Sequence, residues 1–200
     1  LHTAASRVAG LDLGLVAAND PLKGGMEVVY LLGADEIDMK ALGQAFVIYQ
    51  GSHGDAAAHR ADVILPGSAY TEKSATYVNL EGRAQMTLKA AFAPGDAKED
   101  WAILRALSAE VGHTLPYDNI SQLRAAMYKA APQLARIGSL QSAGDGWTAL
   151  ASGGGSVQAA PFAPYIKDFY LTNPIARASQ VMAELSLLAG GGTTAKQAAE

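Results

Sequence analysis

The residues best placed to do chemistry are Gly51-Ser52-His53-Gly54-Asp55, a glycine-rich loop that leads into the alanine-rich stretch Ala56 to Ala61. Histidine and aspartate on such a loop invite a catalytic reading, and a glycine-rich backbone before a helix can hold an anion such as phosphate. A plainer reading competes: Ser52 or Asp55 caps the short helix. From residue types alone the cap carries more weight. His59 and Arg60 read as solvent-facing helix residues, and His2 and His113 stand alone. No two histidines or carboxylates have the spacing of a zinc or di-metal site. There is no P-loop, no G-x-S-x-G and no complete G-x-G-x-x-G. Gly153-Gly154-Gly155 lacks a strand before it and a helix after it. No catalytic, cofactor-binding or metal-ligating residue is assigned from the sequence.

Two short apolar runs must position the loop. Phe46-Val47-Ile48-Tyr49 and Val63-Ile64-Leu65 are too short for helices and rich in β-branched or aromatic residues. Runs of that kind predict strands buried on both faces. Pro66 and Gly67 end the second run. Val28 to Leu32 predicts a third strand, closed by Gly33. Short helices are expected over Thr3–Leu13 and Asp35–Leu42, the latter with Ile37 and Leu42 inward; Asn19-Asp20-Pro21 and Gly24-Gly25 make a turn cluster. Alternating helices and strands imply parallel strands and right-handed crossovers. In such sheets ligands or partners meet the loops at the carboxyl ends of the strands.

Tyr77-Val78 and Gln85 to Leu88 flank Asn79-Leu80-Glu81-Gly82, which predicts a hairpin or extended excursion with Gly82 at positive φ. Glu72-Lys73 and Glu81-Gly82-Arg83 punctuate this region with charge. They could face a cofactor, but the favoured reading has Arg83 or Lys73 pinning an irregular loop through a carboxylate. Asp96 with Glu99 reads as a capping box for a helix whose Trp101, Leu104, Leu107 and Val111 face the core, ending near Gly112. Asp118 or Asn119 starts another helix, with Ile120, Leu123 and Met127 inward, before Pro132. Ile166 to Tyr170 could add an edge strand. Asn173-Pro174 opens a last helix lined by Ile175, Ala178, Val181, Met182, Leu185 and Leu188.

The expected organisation is an α/β domain over 1–136, a glycine-rich linker or surface segment over 137–164, and a strand/helix extension and tail over 165–200. The stretch Ser142 to Ser156 is expected to yield first to proteases, because it lacks apolar periodicity. Two hundred residues suffice for a real core. No apolar run is long enough to span a bilayer. A net charge of −4 gives no electrostatic footprint for nucleic acid or anionic lipid. With no cysteine, the chain has no disulfide framework and no thiolate for an iron–sulfur cluster. A start at Leu1 inside a helical pattern points to a piece of a longer polypeptide.

The phrase ADVILPGSAYTEKSATYVNLEGRAQ, Ala61 to Gln85, resembles the signature of the molybdopterin-oxidoreductase superfamily. Its wording is closer to one branch, the large iron–sulfur subunits (G type) of the peripheral arm of respiratory complex I, the NADH:quinone oxidoreductases. Leu1-His2, Ala5-Ser6-Arg7-Val8-Ala9, Glu99-Asp100-Trp101, Thr114-Leu115-Pro116-Tyr117-Asp118 and Ile166-Lys167-Asp168-Phe169-Tyr170 extend the likeness over nearly the whole chain. The resemblance implies a parallel-sheet, molybdopterin-oxidoreductase-like α/β domain with a C-terminal helical extension. It implies a scaffold role in electron transfer from NADH, via flavin and clusters, to quinone, coupled to proton translocation. Any 4Fe-4S and 2Fe-2S clusters would lie upstream, and FMN in a partner subunit. Partners would be other peripheral-arm subunits, including the flavin-bearing one, with no nucleic acid and no direct membrane insertion. The location would be the cytoplasmic side of a bacterial inner membrane, or the matrix side of the mitochondrial inner membrane. A molybdopterin-dependent enzyme such as a formate dehydrogenase is the alternative, with pterin ligands at loops like Gly51–Asp55; a free-standing binding module is a third reading.

Overall fold

The structure, a computed structural model, describes residues 7–15, 25–140, 156, 159–161, 166 and 168–189. Its first helix, α1 (Arg7–Asp12), precedes strand β1 (Val28–Leu32), a 3₁₀ turn (Met39–Leu42), β2 (Phe46–Gly51), α2 (Ala56–Arg60) and β3 (Val63–Pro66). The three strands are parallel in the order β1-β2-β3, with Val29 opposite Val47 and Tyr49 opposite Ile64. That is the parallel α/β arrangement expected from the alternation of elements. Asp35 to Leu42 yields one 3₁₀ turn rather than a helix, because Asp38 caps at Lys40 N and Gly43, at φ +57°, ends the turn at once. Leu42 is buried and Ile37 packs against the same cluster.

Val29, Leu31, Leu42, Ala45, Val47, Tyr49 and Ala57 form the core on one face of this sheet. Burial on both faces, the expectation for β2 and β3, holds at the carboxyl end of β2, where Tyr49 and Gln50 on opposite faces are both buried, but not at Phe46, which is exposed. In β3, Val63 and Ile64 are exposed, because among the described residues β3 is an edge strand. The ends of the crossover are tied down by Asp62, whose Oδ2 accepts Val47 N at 2.7 Å.

Strands β4 (Thr76–Val78) and β5 (Ala84–Met86) form the expected antiparallel hairpin, and Gly82 sits at φ +83°. Asn79 Oδ1 accepts the amides of Glu81 and Arg83 at 3.0 Å each, which replaces ladder bonds inside the turn. Helix α3 (Asp100–Glu110) begins later than the Asp96 cap predicts: Glu99 is the N-cap residue, with no side-chain cap bond. Glu99 is engaged elsewhere, accepting Trp101 Nε1 at 2.8 Å. The Trp101 stripe is half-buried rather than core, Val111 is exposed, and Ser108 is the buried residue of α3.

Helix α4 (Ile120–Ala130) is capped reciprocally. Asn119 Oδ1 accepts Gln122 N at 2.9 Å, and Gln122 Oε1 accepts Asp118 N at 2.7 Å. A 3₁₀ turn, Pro132–Ala135, follows and had no sequence expectation; its Leu134 joins Val78, Ala84 and Ala131 in a second core cluster, against which Val8, Ala9, Met127 and Tyr128 pack.

The expected linker falls largely on 141–155, outside the described residues, as do His2 and the turn cluster near residue 20. Asp168 to Tyr170 turns instead of forming an edge strand, because Asp168 Oδ1 accepts Tyr170 N at 2.9 Å. The last helix is two helices. Asn173 caps α5 (Pro174–Arg177), and Ser179 restarts the chain into α6 (Gln180–Leu188). Ile175, Ala178, Val181, Leu185 and Leu188, expected inward, are exposed and Met182 is half-buried; Ser186 is the buried position of α6.

Candidate functional site

The carboxyl ends of the three strands end on glycines. Gly33 N bonds Gln50 O at 2.7 Å, and Gly67 N bonds Gly51 O at 2.9 Å, so the ladder runs to the strand tips. Two of these glycines admit close neighbours. A Cβ at Gly67 would lie 2.9 Å from Asp100 Oδ1, and a Cβ at Gly51 would run into the Tyr49 phenol. Tyr49 uses that room to donate its hydroxyl to His53 O at 2.7 Å, which ties the glycine loop back onto β2. Burial raises the Tyr49 pKa, and the charges of Asp35 and Asp55 raise it further.

Behind the tips lies a polar chain that is fully buried at its centre. Tyr30 donates to Gln50 Oε1, Gln50 Nε2 donates to Asp100 Oδ1 at 2.9 Å, and Lys73 pairs with Asp100 Oδ2. Gln50 has no exposed surface, so these bonds meet the cost of placing an amide inside a sheet. Burial raises the Tyr30 pKa, with Asp100 adding to it. Lys73 is thus committed to the first residue of α3, across 27 positions.

The glycine loop itself does not cap α2. Asp55 occupies the N-cap position but makes no side-chain cap bond, and Ser52 Oγ pairs with His53 Nδ1 at 3.0 Å. The Asp55 carboxylate turns to Arg177, whose Nε reaches Oδ2 at 2.5 Å. The same guanidinium donates through Nη2 to Asp35 Oδ1 at 2.6 Å and through Nη1 to Glu36 Oε1 at 2.9 Å. A stronger hold than the cap won the aspartate, since charge-assisted bonds to arginine exceed a neutral amide bond. Burial works to lower the Arg177 pKa, but hydrogen bonds to Glu36, Asp55 and Asp35 outweigh it and hold that pKa above its ordinary value. Asp35 behaves oppositely: burial raises its pKa, and the Arg177 hydrogen bond only partly offsets this. The asymmetry follows from position. The Asp35 side chain is 1% exposed and has Asp55 and Glu36 as like-charged neighbours, whereas Arg177 is 19% exposed among three carboxylates.

The other charged residues of the signature make structural contacts. Glu72 Oε2 accepts Ala69 N at 2.9 Å, and Arg83 donates to Gly138 O at 2.8 Å with Glu81 at 3.7 Å. His59 is exposed; Arg60, expected to face solvent, instead donates to the carbonyls of Gly43 and Ala45 at 2.9 and 2.8 Å. His113 is exposed. No group of three or more His, Cys, Asp or Glu among the described residues could hold a metal ion. Sequence reasoning did not single out Gln50, Asp100, Asp35 or Arg177. One signal was there: Arg177 is the sole arginine after Arg136.

A family model for molybdopterin oxidoreductase matches residues 1–110, more than half of the chain. The chain belongs to the molybdopterin oxidoreductase family. A second model, for the C-terminal part of the NADH-ubiquinone oxidoreductase G-type subunit, matches residues 138–185. The chain is 45% identical over 185 residues to the mitochondrial NADH dehydrogenase [ubiquinone] iron-sulfur protein 1 of Solanum tuberosum, covering 92% of this chain and 25% of the relative. It is 44% identical to the NADH-ubiquinone oxidoreductase 75 kDa subunit of Reclinomonas americana, over 93% of this chain and 28% of the relative. Against the mitochondrial NADH-ubiquinone oxidoreductase 78 kDa subunit of Candida albicans it is 47% identical, over 92% and 26%. The chain therefore spans about a quarter of the length of these relatives.

Within a molybdopterin oxidoreductase fold, the strand-end loops are where a pterin nucleotide would be sought. The residues here do not suit one. An anionic pyrophosphate near Gly33 and Gly51–Asp55 would meet Asp35, Glu36 and Asp55, and the nearby cations Arg177 and Lys73 are both engaged in ion pairs.

Proposed function

We propose that this chain is a scaffold portion of the peripheral-arm iron–sulfur subunit of NADH–ubiquinone oxidoreductase and carries no catalytic site of its own. The observation that carries the reading is the engagement of the polar side chains at the strand ends within the chain: Tyr49 with the His53 carbonyl, Gln50 and Lys73 with Asp100, Asp35 and Asp55 with Arg177. Such groups position backbone. Electrons from NADH would pass through a flavin in a partner subunit and through 4Fe-4S and 2Fe-2S clusters in other parts of the same polypeptide, toward quinone. Proton translocation would be coupled elsewhere in the assembly. With no cysteine, the chain offers no thiolate for such clusters.

The division into an α/β domain over 1–136, a segment over 137–164 and an extension over 165–200 belongs to the same reading. So do contacts with neighbouring peripheral-arm subunits and a place on the cytoplasmic or matrix side of the membrane. No helix among the described residues is long and apolar enough to cross a bilayer. The test is NADH oxidation per assembled flavin in His53→Ala, in the complete assembly. A rate near that of the parent is expected. A large fall with unchanged assembly would place chemistry on the glycine loop and end the scaffold reading.

A further inference from the structure

We propose that Asp35, Glu36 and Asp55 form a guanidinium-binding site whose ligand is Arg177 of the same chain, latching α5 and α6 onto the strand-end loops. The fit is specific to a planar fork. Nε, Nη1 and Nη2 each meet a different carboxylate, Asp55, Glu36 and Asp35, at 2.5, 2.9 and 2.6 Å. Nη1 also lies 3.5 Å from the carbonyl of buried Leu171, so the arginine is held by its own segment as well. A lysine has one nitrogen and cannot span three separated carboxylates.

The carboxylates come from two loops, Asp35 and Glu36 beyond β1 and Asp55 beyond β2. One side chain therefore joins both loops to the C-terminal segment. Asn173 Oδ1 fixes the start of α5 by accepting Ala176 N at 2.9 Å, which sets the direction in which Arg177 leaves the helix. Beside the latch lies an open cavity of about 870 Å³, with Pro174, Ile175, Ala176 and Met182 on one side and Gly33 and Gly51 on the other; none of the four latch residues lines it. Without Arg177, the three carboxylates would stand together and repel one another. The latch is what holds the two loops and the C-terminal segment together.

Hydrogen–deuterium exchange on the full chain tests the latch, comparing the parent with Arg177→Ala. Exchange at Gly33–Glu36, at Gly51–Asp55 and across Leu171–Leu188 should rise together by about tenfold or more, while β4, β5 and α4 stay unchanged. Guanidinium chloride at tens of millimolar should restore protection in the two loops, and sodium chloride at equal ionic strength should not. Faster exchange confined to α5, no effect of guanidinium, or equal effects of the two salts would overturn the proposal. If Arg177→Ala does not fold, Asp55→Asn replaces it. That milder change should loosen both loops and the C-terminal segment together, and loosening of its own loop alone would overturn the latch. A failed latch shows in exchange; a failed scaffold role shows in NADH oxidation.

Discussion

Arg177 Nη2 donates to Asp35 Oδ1 at 2.6 Å although 142 positions separate the two residues. The Asp35 side chain is 1% exposed, so its charge has almost no water to solvate it. The pair joins the part of the chain that matches molybdopterin oxidoreductase to the part that matches the C-terminal family of the NADH-ubiquinone oxidoreductase G-type subunit. The other oxygen of Asp35, Oδ2, is buried without a hydrogen-bond partner, which leaves the carboxylate dependent on one arginine.

Removing that arginine should be costly. Arg177→Met is expected to lower unfolding free energy at neutral pH by about 3–5 kcal/mol, the usual penalty for stranding one member of a buried pair. Asp35→Asn combined with Arg177→Met should lose less than the sum of the single changes, because the second removes the charge that the first strands. Urea unfolding of the four proteins measures the coupling. Strict additivity would show that the two groups do not depend on each other.

The raised Asp35 pKa fixes a sign for pH dependence. Burial favours the protonated form in the folded state, so Asp35 contributes its full stability below its ordinary value of 3.8, and that contribution is lost as pH rises through the raised folded value. The stability difference between the parent and Asp35→Asn should therefore shrink with rising pH across that window and then level off. Urea midpoints through the mildly acidic range read it. A difference that grows with pH would mean that pairing with Arg177 dominates burial.

Two glycines should respond differently to alanine. Gly82 sits at φ +83° with nothing within 4 Å of a built Cβ, so Gly82→Ala should cost only the left-handed backbone penalty of about 1–2 kcal/mol. Gly51→Ala meets no backbone penalty of that kind but drives a methyl into the Tyr49 phenol. It should cost more than Gly82→Ala and break the Tyr49–His53 hydrogen bond. Thermal unfolding ranks the pair, and a smaller loss at Gly51 would show that the Tyr49 ring moves aside freely.

The second core cluster gives a comparison of large-to-small changes. Leu134 is 1% exposed against Val78, Ala84 and Ala131, and Leu134→Ala should cost about 2–5 kcal/mol. Leu65→Ala, half-buried on the edge strand, should cost clearly less. Chemical denaturation decides it. Equal losses would mean that Leu65 is covered by something outside the described residues.

Where the sequence was misleading, the reason lies in competition for side chains. Asp96, Glu99 and Asp55 all have cap-like positions, yet Glu99 bonds the Trp101 indole and Asp55 bonds Arg177. A cap is a local bond that a distant, better donor can displace. The continuous apolar pattern from Ile175 to Leu188 hides a restart at Ser179, whose hydroxyl accepts Met182 N at 3.4 Å. Periodicity records which residues are apolar and is blind to what lies opposite them, which is why it overstates the burial of Trp101 and Val181.

By itself the sequence determined the strands at Val28, Phe46 and Val63, a positive-φ turn at Gly82, a cap at Asp118 or Asn119, the Asn173 cap and the family signature. Each depends on residues within a few positions of one another, where backbone preference and short-range hydrogen bonding act. Only the tertiary structure decided that Gln50, Asp100 and Lys73 form one buried chain, that Val63 and Ile64 of β3 are exposed, and that Arg177 serves Asp35, Glu36 and Asp55 at once. Those relations need groups far apart in sequence to be brought within hydrogen-bond reach and out of water. Charge pairing over such separations follows from the packed chain, since any carboxylate can pair with any arginine until the fold chooses.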